Sequence, residues 1–157
     1  MPPITLEEVQ ARQTELAKMI EQLASQAQQS REIQIEDCTI TLHPGEHYAG
    51  AVLDENGQHQ HHLVLLAARP ASKLNWESAM DWARGKLIEG AGGHLPTRQE
   101  LALLYANCKP HLEPTWHWSC ETHEEDASYA WNCNFYYGNQ HDLPKSYEGS
   151  VVAVRRV

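Results

Sequence analysis

The sequence has no apolar run long enough to cross a membrane. Its longest, Leu63 to Ala68, is the length of a strand, whereas a spanning helix needs roughly 20 such residues. Positive charge is scarce too: 12 Lys and Arg face 21 Asp and Glu, for a formal charge of −9. Phosphate contacts need a basic surface, so direct nucleic-acid binding and attachment to an anionic membrane are not expected. Ten histidines soften that charge as pH falls through about 6.5. The opening segment MPPITLEEVQ lacks the basic start and apolar core of a secretory signal. That points to the cytosol in which the chain is made, with a virion or an unusual export route left open. The four cysteines, Cys38, Cys108, Cys120 and Cys133, form no CxxC pair. The common structural zinc site is therefore not expected, and the thiols read as small reduced hydrophobes. There is no internal repeat.

What is present suits one compact domain with a small appendage: 157 residues, 41% of them hydrophobic, enough for a real core. Thr5 and Glu8 have the spacing of a capping box and open a predicted helix over 5–31, with no Gly or Pro inside it. Leu6, Val9, Gln13, Leu16, Ile20, Leu23 and Ala27 follow the alternating three–four spacing of a heptad seam. Such a helix packs on its own domain or oligomerises the chain. The polar flanks (Gln22, Ser25, Gln26, Gln28 and Gln29) favour self-association, with Gln13 setting register.

From Ile33 the composition turns β-branched. EIQIEDCTITLHPGEHYAGAVLD, broken at Pro44-Gly45, predicts two strands and a turn. Asp54-Glu55-Asn56-Gly57 is a second turn signal, and HHLVLLAA resumes as a buried strand. Two helices follow. Asn75 caps NWESAMDWARGKLIEG; Thr97 and Glu100 form a second capping box ahead of Leu101, Leu104 and Tyr105. WHWSC, ASYAWNCNFYYG and SVVAVRRV predict three strands, and eight of the twelve aromatics fall in the last 42 residues. In the closing strand from Ser150 to Arg156, Val152 and Val154 face one side, Val151, Ala153 and Arg155 the other.

Taken in order, NWESAMDWARGKL, GGHLPTRQELALLY, EPTWHWSC, YAWNCNFYYGNQ and VVAVRRV resemble a C-type-lectin-like domain. The nearest subgroup is the bacterial and phage one that includes the C-terminal domain of a collagen-like adhesin. The version with an N-terminal helix is similar to phage and prophage proteins. The resemblance covers about residues 62–157 and implies an α+β fold: two helices packed on antiparallel sheet, with the two ends of the domain in one sheet. The expected organisation is an oligomerising helix over 1–32, a β linker or hairpin over 33–61, and the lectin-like domain over 62–157.

In related diversified phage and bacterial proteins the C-terminal region forms the ligand-binding face. That resemblance nominates Trp116, His117, Trp118, Tyr129, Trp131, Asn132, Asn134, Tyr136, Tyr137, Asn139 and His141. Tyr and Trp give large contact area at low entropy cost, and Asn adds adaptable hydrogen bonds. Strand alternation sends about half of them inward; Trp118 and Trp131 are the first candidates for the core, with Phe135. Calcium-dependent sugar binding of the lectin kind is not expected, because Glu113-Pro114-Thr115 and Trp131-Asn132-Cys133 each fall one residue short of the ligand motif. His59, His61 and His62, with His43 and His47, lack an acidic or cysteine partner at zinc spacing. The fold is shared with the enzyme that makes formylglycine through paired cysteines, but Cys120 and Cys133 have no other part of that site around them. No catalysis, metal or cofactor is expected.

Two functions are thus open. One is a non-catalytic phage or prophage binding protein that meets a host protein or surface glycan, in the host cytoplasm or on the virion. The other is an intracellular inhibitor of a host defence nuclease or similar machinery, which the −9 charge permits through mimicry of nucleic acid. The seam carries its own test. The full chain should scatter light as an oligomer and a chain starting near Ile33 as a monomer. Equal monomeric masses would reduce the seam to an intramolecular packing face.

Overall fold

The computed structural model describes residues 2–35, 38–88 and 91–157. Among the described residues the fold is α+β, with three α-helices and antiparallel sheets. It divides into two compact units, 1–44 and 45–157. The segment 33–61, read above as one linker, is shared between them, and a boundary at 61/62 would cut a strand.

In the first unit, α1 (Leu6–Ala27) starts as its sequence dictates. The Thr5 hydroxyl accepts the Glu8 N–H at 3.2 Å, and the Glu8 carboxylate accepts the Thr5 N–H at 3.0 Å, satisfying two of the helix's orphan donors. No residue of α1 is buried, and Leu6, Val9, Leu16, Ile20 and Leu23 of the seam stand exposed. The helix ends four residues before the expected Arg31. Arg31 instead opens β1 (Arg31–Ile35), which pairs in a hairpin with β2 (Cys38–Leu42). The last turn has no basic residue to hold its free carbonyls, and the β-branched positions beyond it prefer the extended chain. The region read as two strands is therefore three, because β3 lies beyond the Pro44-Gly45 turn.

In the second unit, β3 (His47–Leu53) and β4 (His59–Leu65) form a hairpin. Its turn is set by Asp54, whose carboxylate accepts the N–H groups of Asn56 and Gln58, each at 2.9 Å. The other edge of β4 pairs with β10 (Val154–Arg156), giving the order β10-β4-β3. With neighbours on both edges and packing on both faces, Leu63, Val64 and Leu65 are all buried. Between these strands come α2 (Trp76–Arg84), capped by Asn75, and α3 (Arg98–Cys108), capped by Thr97. A short ribbon, β5 (Leu87–Ile88) with β6 (Ala91–Gly92), links the two helices. At Gly93 a Cβ would come within 2.7 Å of the Ala83 carbonyl oxygen, so only glycine allows that approach. A second sheet, β7 (Trp116–Thr122), β8 (Tyr129–Asn134) and β9 (Gln140–Pro144), has β8 at its centre.

The tail 151–154 is the wall between two cores. Val152 and Val154 pack with Leu63, Leu65, Leu101, Leu104 and Phe135. Val151 and Ala153 pack with Leu66, Ala79, Ala83 and Trp118. The expected alternation holds, although ladder pairing covers only Val154–Arg156.

The two arginines that follow both reach buried carboxylates. Arg155 donates to Glu46 at 2.8 and 3.2 Å. Arg156 donates to both oxygens of Glu100, at 2.7 and 3.0 Å, and His61 Nε2 lies 3.0 Å from the same carboxylate. Glu100 also accepts the Thr97 N–H at 3.0 Å, completing the second capping box. Burial raises the Glu100 pKa, but the bonds from Arg156 and Thr97 outweigh it, and the carboxyl sits below its ordinary range. One fully buried side chain thus ties α3 to β10 and β4. Glu100→Ala should cost about 2–3 kcal/mol, because it removes the capping acceptor of α3 and the carboxylate partner of Arg156, which itself reaches solvent. Replacing both partners, Glu100→Leu with Arg156→Met, should recover part of that loss. Urea unfolding of the three variants checks the order, and a double variant no better than Glu100→Ala would contradict it.

Candidate binding surface

The nominated residues lie on β7, β8, β9 and the turn between β8 and β9, but the structure divides them. Three are not surface. Trp118 is fully buried, and its indole N–H donates to the Leu74 carbonyl at 3.0 Å. His117 is 2% exposed and its ring stacks on Phe135 at 4.5 Å. Asn132, also 2% exposed, leaves its Nδ2 without a partner. These corrections have one cause. Asn132 stands opposite Trp118 in the ladder, so both side chains point to the same covered face, while His117 faces the other core. Phe135 is core, as expected.

Trp116, Tyr129, Trp131 and Asn134 are half-buried. Trp116 meets Trp118 edge-on at 5.0 Å. Trp131 is more engaged. The Arg98 guanidinium lies 3.7 Å from the centre of its ring, His123 stacks on it at 5.1 Å, and its indole N–H donates to Glu124 at 3.3 Å. Arg98 was not singled out in the sequence, where it passes for an exposed residue in the first turn of a capped helix. Here its Nε donates to the Gln140 side chain at 2.8 Å, Gln140 returns a bond to the Arg98 carbonyl at 2.8 Å, and the Arg98 N–H donates to Glu121 at 2.6 Å. Arg98, Gln140, Glu121, His61 and Arg156 line an open groove of about 820 Å³. No local signal joins these residues, which come from five separate elements.

The remaining nominees form the tip. Tyr136 and Tyr137 are 61% and 72% exposed and meet edge-on at 4.6 Å. The turn beneath them is firm. The Asn134 side-chain oxygen accepts the Tyr136 N–H at 2.8 Å, and the Gly138 N–H donates to the Asn134 carbonyl at 2.7 Å. Gly138 has φ +79°, and a Cβ there would strike the Tyr105 ring, so glycine is required twice over. Asn139 and His141 are exposed beside the turn and lie 2.8 Å apart, Nδ2 to Nε2.

All four cysteines are free thiols. Burial pushes Cys108, Cys120 and Cys133 up to about 11, which leaves them protonated and weakly nucleophilic near neutrality. Cys120 and Cys133 sit on paired strands, Cys133 opposite His117 and Cys120 within a register shift. Among the described residues no group of three or more His, Cys, Asp or Glu is placed to hold a metal ion, and no helix is long and apolar enough to cross a membrane. No family model matches the chain, and no curated protein matches it.

The buried His117 gives a pH signature. Burial is the main cause of its depressed pKa, about 4 against an ordinary 6.5. The unfolded chain therefore takes up the proton first, so this contribution to stability is whole above pH 6.5 and is lost as pH falls towards 4. At about 1.4 kcal/mol per unit the loss is roughly 3 kcal/mol. Glu100 acts in a lower window, below its ordinary 4.5. Chemical unfolding from pH 7 to 4 should show the decline, and His117→Gln should flatten it above pH 4.5. An unchanged slope in that variant would contradict the assignment.

Proposed function

We propose that the chain is a non-catalytic binding protein with a C-type-lectin-like head, encoded by a phage or prophage, that engages a host protein or surface glycan through its aromatic tip. Its place of action is the host cytoplasm or the virion, and α1 gathers copies through its heptad seam. The order of elements supports the lectin-like reading: strands from the two ends of the unit share one sheet, and two capped helices lie between that sheet and a second one. The exposed seam of α1 supports the assembly.

The observation that carries the proposal is the Tyr136–Tyr137 pair. Two large aromatic rings stand in solvent on a turn held by an Asn side chain and a left-handed glycine. Folding gains nothing from this exposure, whereas a pre-ordered aromatic pair loses little entropy on contact. Truncating such an anchor typically costs roughly 2 kcal/mol or more of binding and little stability. Tyr136→Ala and Tyr137→Ala should each keep the wild-type melting temperature and lose most of the capture of a host-derived partner from lysate or envelope fractions. Full capture by both variants would remove the tip from the binding surface.

A further inference from the structure

A second feature lies apart from the aromatic tip. A pocket of about 420 Å³ opens between the 69–73 loop and a wall made by Glu113, His117 and Ser150, a size suited to a small ligand. Its back is the buried His117. The Nδ1 of that ring lies 3.1 Å from the Thr115 carbonyl. A carbonyl only accepts, so Nδ1 carries the hydrogen and Nε2 presents a lone pair. Nε2 has no hydrogen-bond partner among the described residues, yet the one fully enclosed side-chain nitrogen without a partner among them is Asn132 Nδ2. The lone pair of His117 therefore reaches the open space that its ring lines.

The charged groups around this ring are unevenly used. Arg69 spends one nitrogen on the carbonyls of Leu66 and Ala68, at 2.6 and 2.9 Å, which fixes its guanidinium and leaves its other donors open. Lys73 makes no hydrogen bond or ion pair among the described residues. Glu113 accepts the Ser150 hydroxyl at 3.3 Å and retains further acceptor capacity. The fields of Glu113, Arg69 and Lys73 all reach His117. Leaving aside the two histidines of the lining, His111 and His117, the charged groups are two cations and one carboxylate, one positive charge in excess.

These groups restrict what can fill the pocket. An anion without hydroxyl hydrogens would pair with Arg69 and Lys73 but would turn further oxygens on His117 Nε2 and Glu113, which are acceptors, and monohydrogen phosphate carries a single hydroxyl donor for the two of them. A neutral polyol would satisfy the acceptors and leave the cations without a counter-charge. A ligand with one carboxylate and neighbouring hydroxyl donors meets both demands. We propose that this pocket binds a small monoanionic hydroxy acid of monosaccharide size. Its carboxylate lies against Arg69 and Lys73, and its hydroxyls donate to His117 Nε2 and Glu113.

The test is titration calorimetry with two-dimensional NMR on the full chain, using D-glucuronate as the probe. D-glucose, acetate and inorganic phosphate serve as its separated parts. Glucuronate should bind saturably, shifting the His117 ring and the backbone around Lys73 and Ser150, with each comparison compound at least about tenfold weaker. Lys73→Gln should weaken glucuronate several-fold at an unchanged melting temperature, because Lys73 makes no hydrogen bond or ion pair among the described residues. Tyr136→Ala should leave it unchanged, which separates this site from the aromatic tip. His117→Gln can fail to fold, but the Lys73 variant decides the matter without it. The proposal is overturned by no saturable binding at millimolar glucuronate, by acetate or phosphate binding as tightly, or by wild-type affinity in Lys73→Gln.

Discussion

The second unit depends on the carboxylate of Glu100. A charge buried this completely is strongly unfavourable unless every oxygen is matched. Here the matches come from the N-cap of its own helix, from Arg156 in the C-terminal strand, and from His61 on the central strand of the first sheet. Losing Arg156 would leave a carboxylate in the interior, so this pair and the packing of α3 beside β4 and β10 stabilise one another. Arg155 repeats the device on the opposite side of the tail, against Glu46. Two adjacent arginines thereby fix the direction and the register of a strand that has only three ladder residues.

That register passes to everything behind it. Because 151–154 alternates between two cores, a shift of one residue would exchange the contents of both. Trp118, Ala130 and the helix α2 rest on one side of the wall, Phe135 and α3 on the other. Phe135 is the last buried residue before the aromatic tip. Its ring anchors the strand end, and the next two side chains turn outward over Gly138. The exposed tyrosines are therefore held on a rigid support, which is the arrangement that limits the entropy cost of binding.

The same packing sets the chemistry of the polar pocket. His117 lies across the strand from Ser150, in a place where solvation of a charged imidazole is lost. It is accordingly a neutral acceptor, and its tautomer is fixed by the Thr115 carbonyl. The chain carries a formal charge of −9, yet this pocket combines two cations with a single carboxylate. Net charge describes long-range attraction and leaves local sites undetermined.

Features that follow from neighbouring residues were legible in the sequence. Both capping boxes, the Asp54–Gly57 turn, the alternation of 151–155 and the start of α1 depend on short-range geometry, and all of them stand in the structure. The burial of His117 and Asn132 was not legible, because alternation says that half of a strand faces inward without saying which half. The end of α1 was misplaced for a related reason: helix and strand preferences near Arg31 are close, and pairing with β2 decides between them. Nor does the sequence place Arg98 against Trp131 or gather Arg69, Lys73, Glu113, His117 and Ser150 around one pocket. Those contacts join residues tens of positions apart, and only the packing of the tail between two cores brings them within reach of one another.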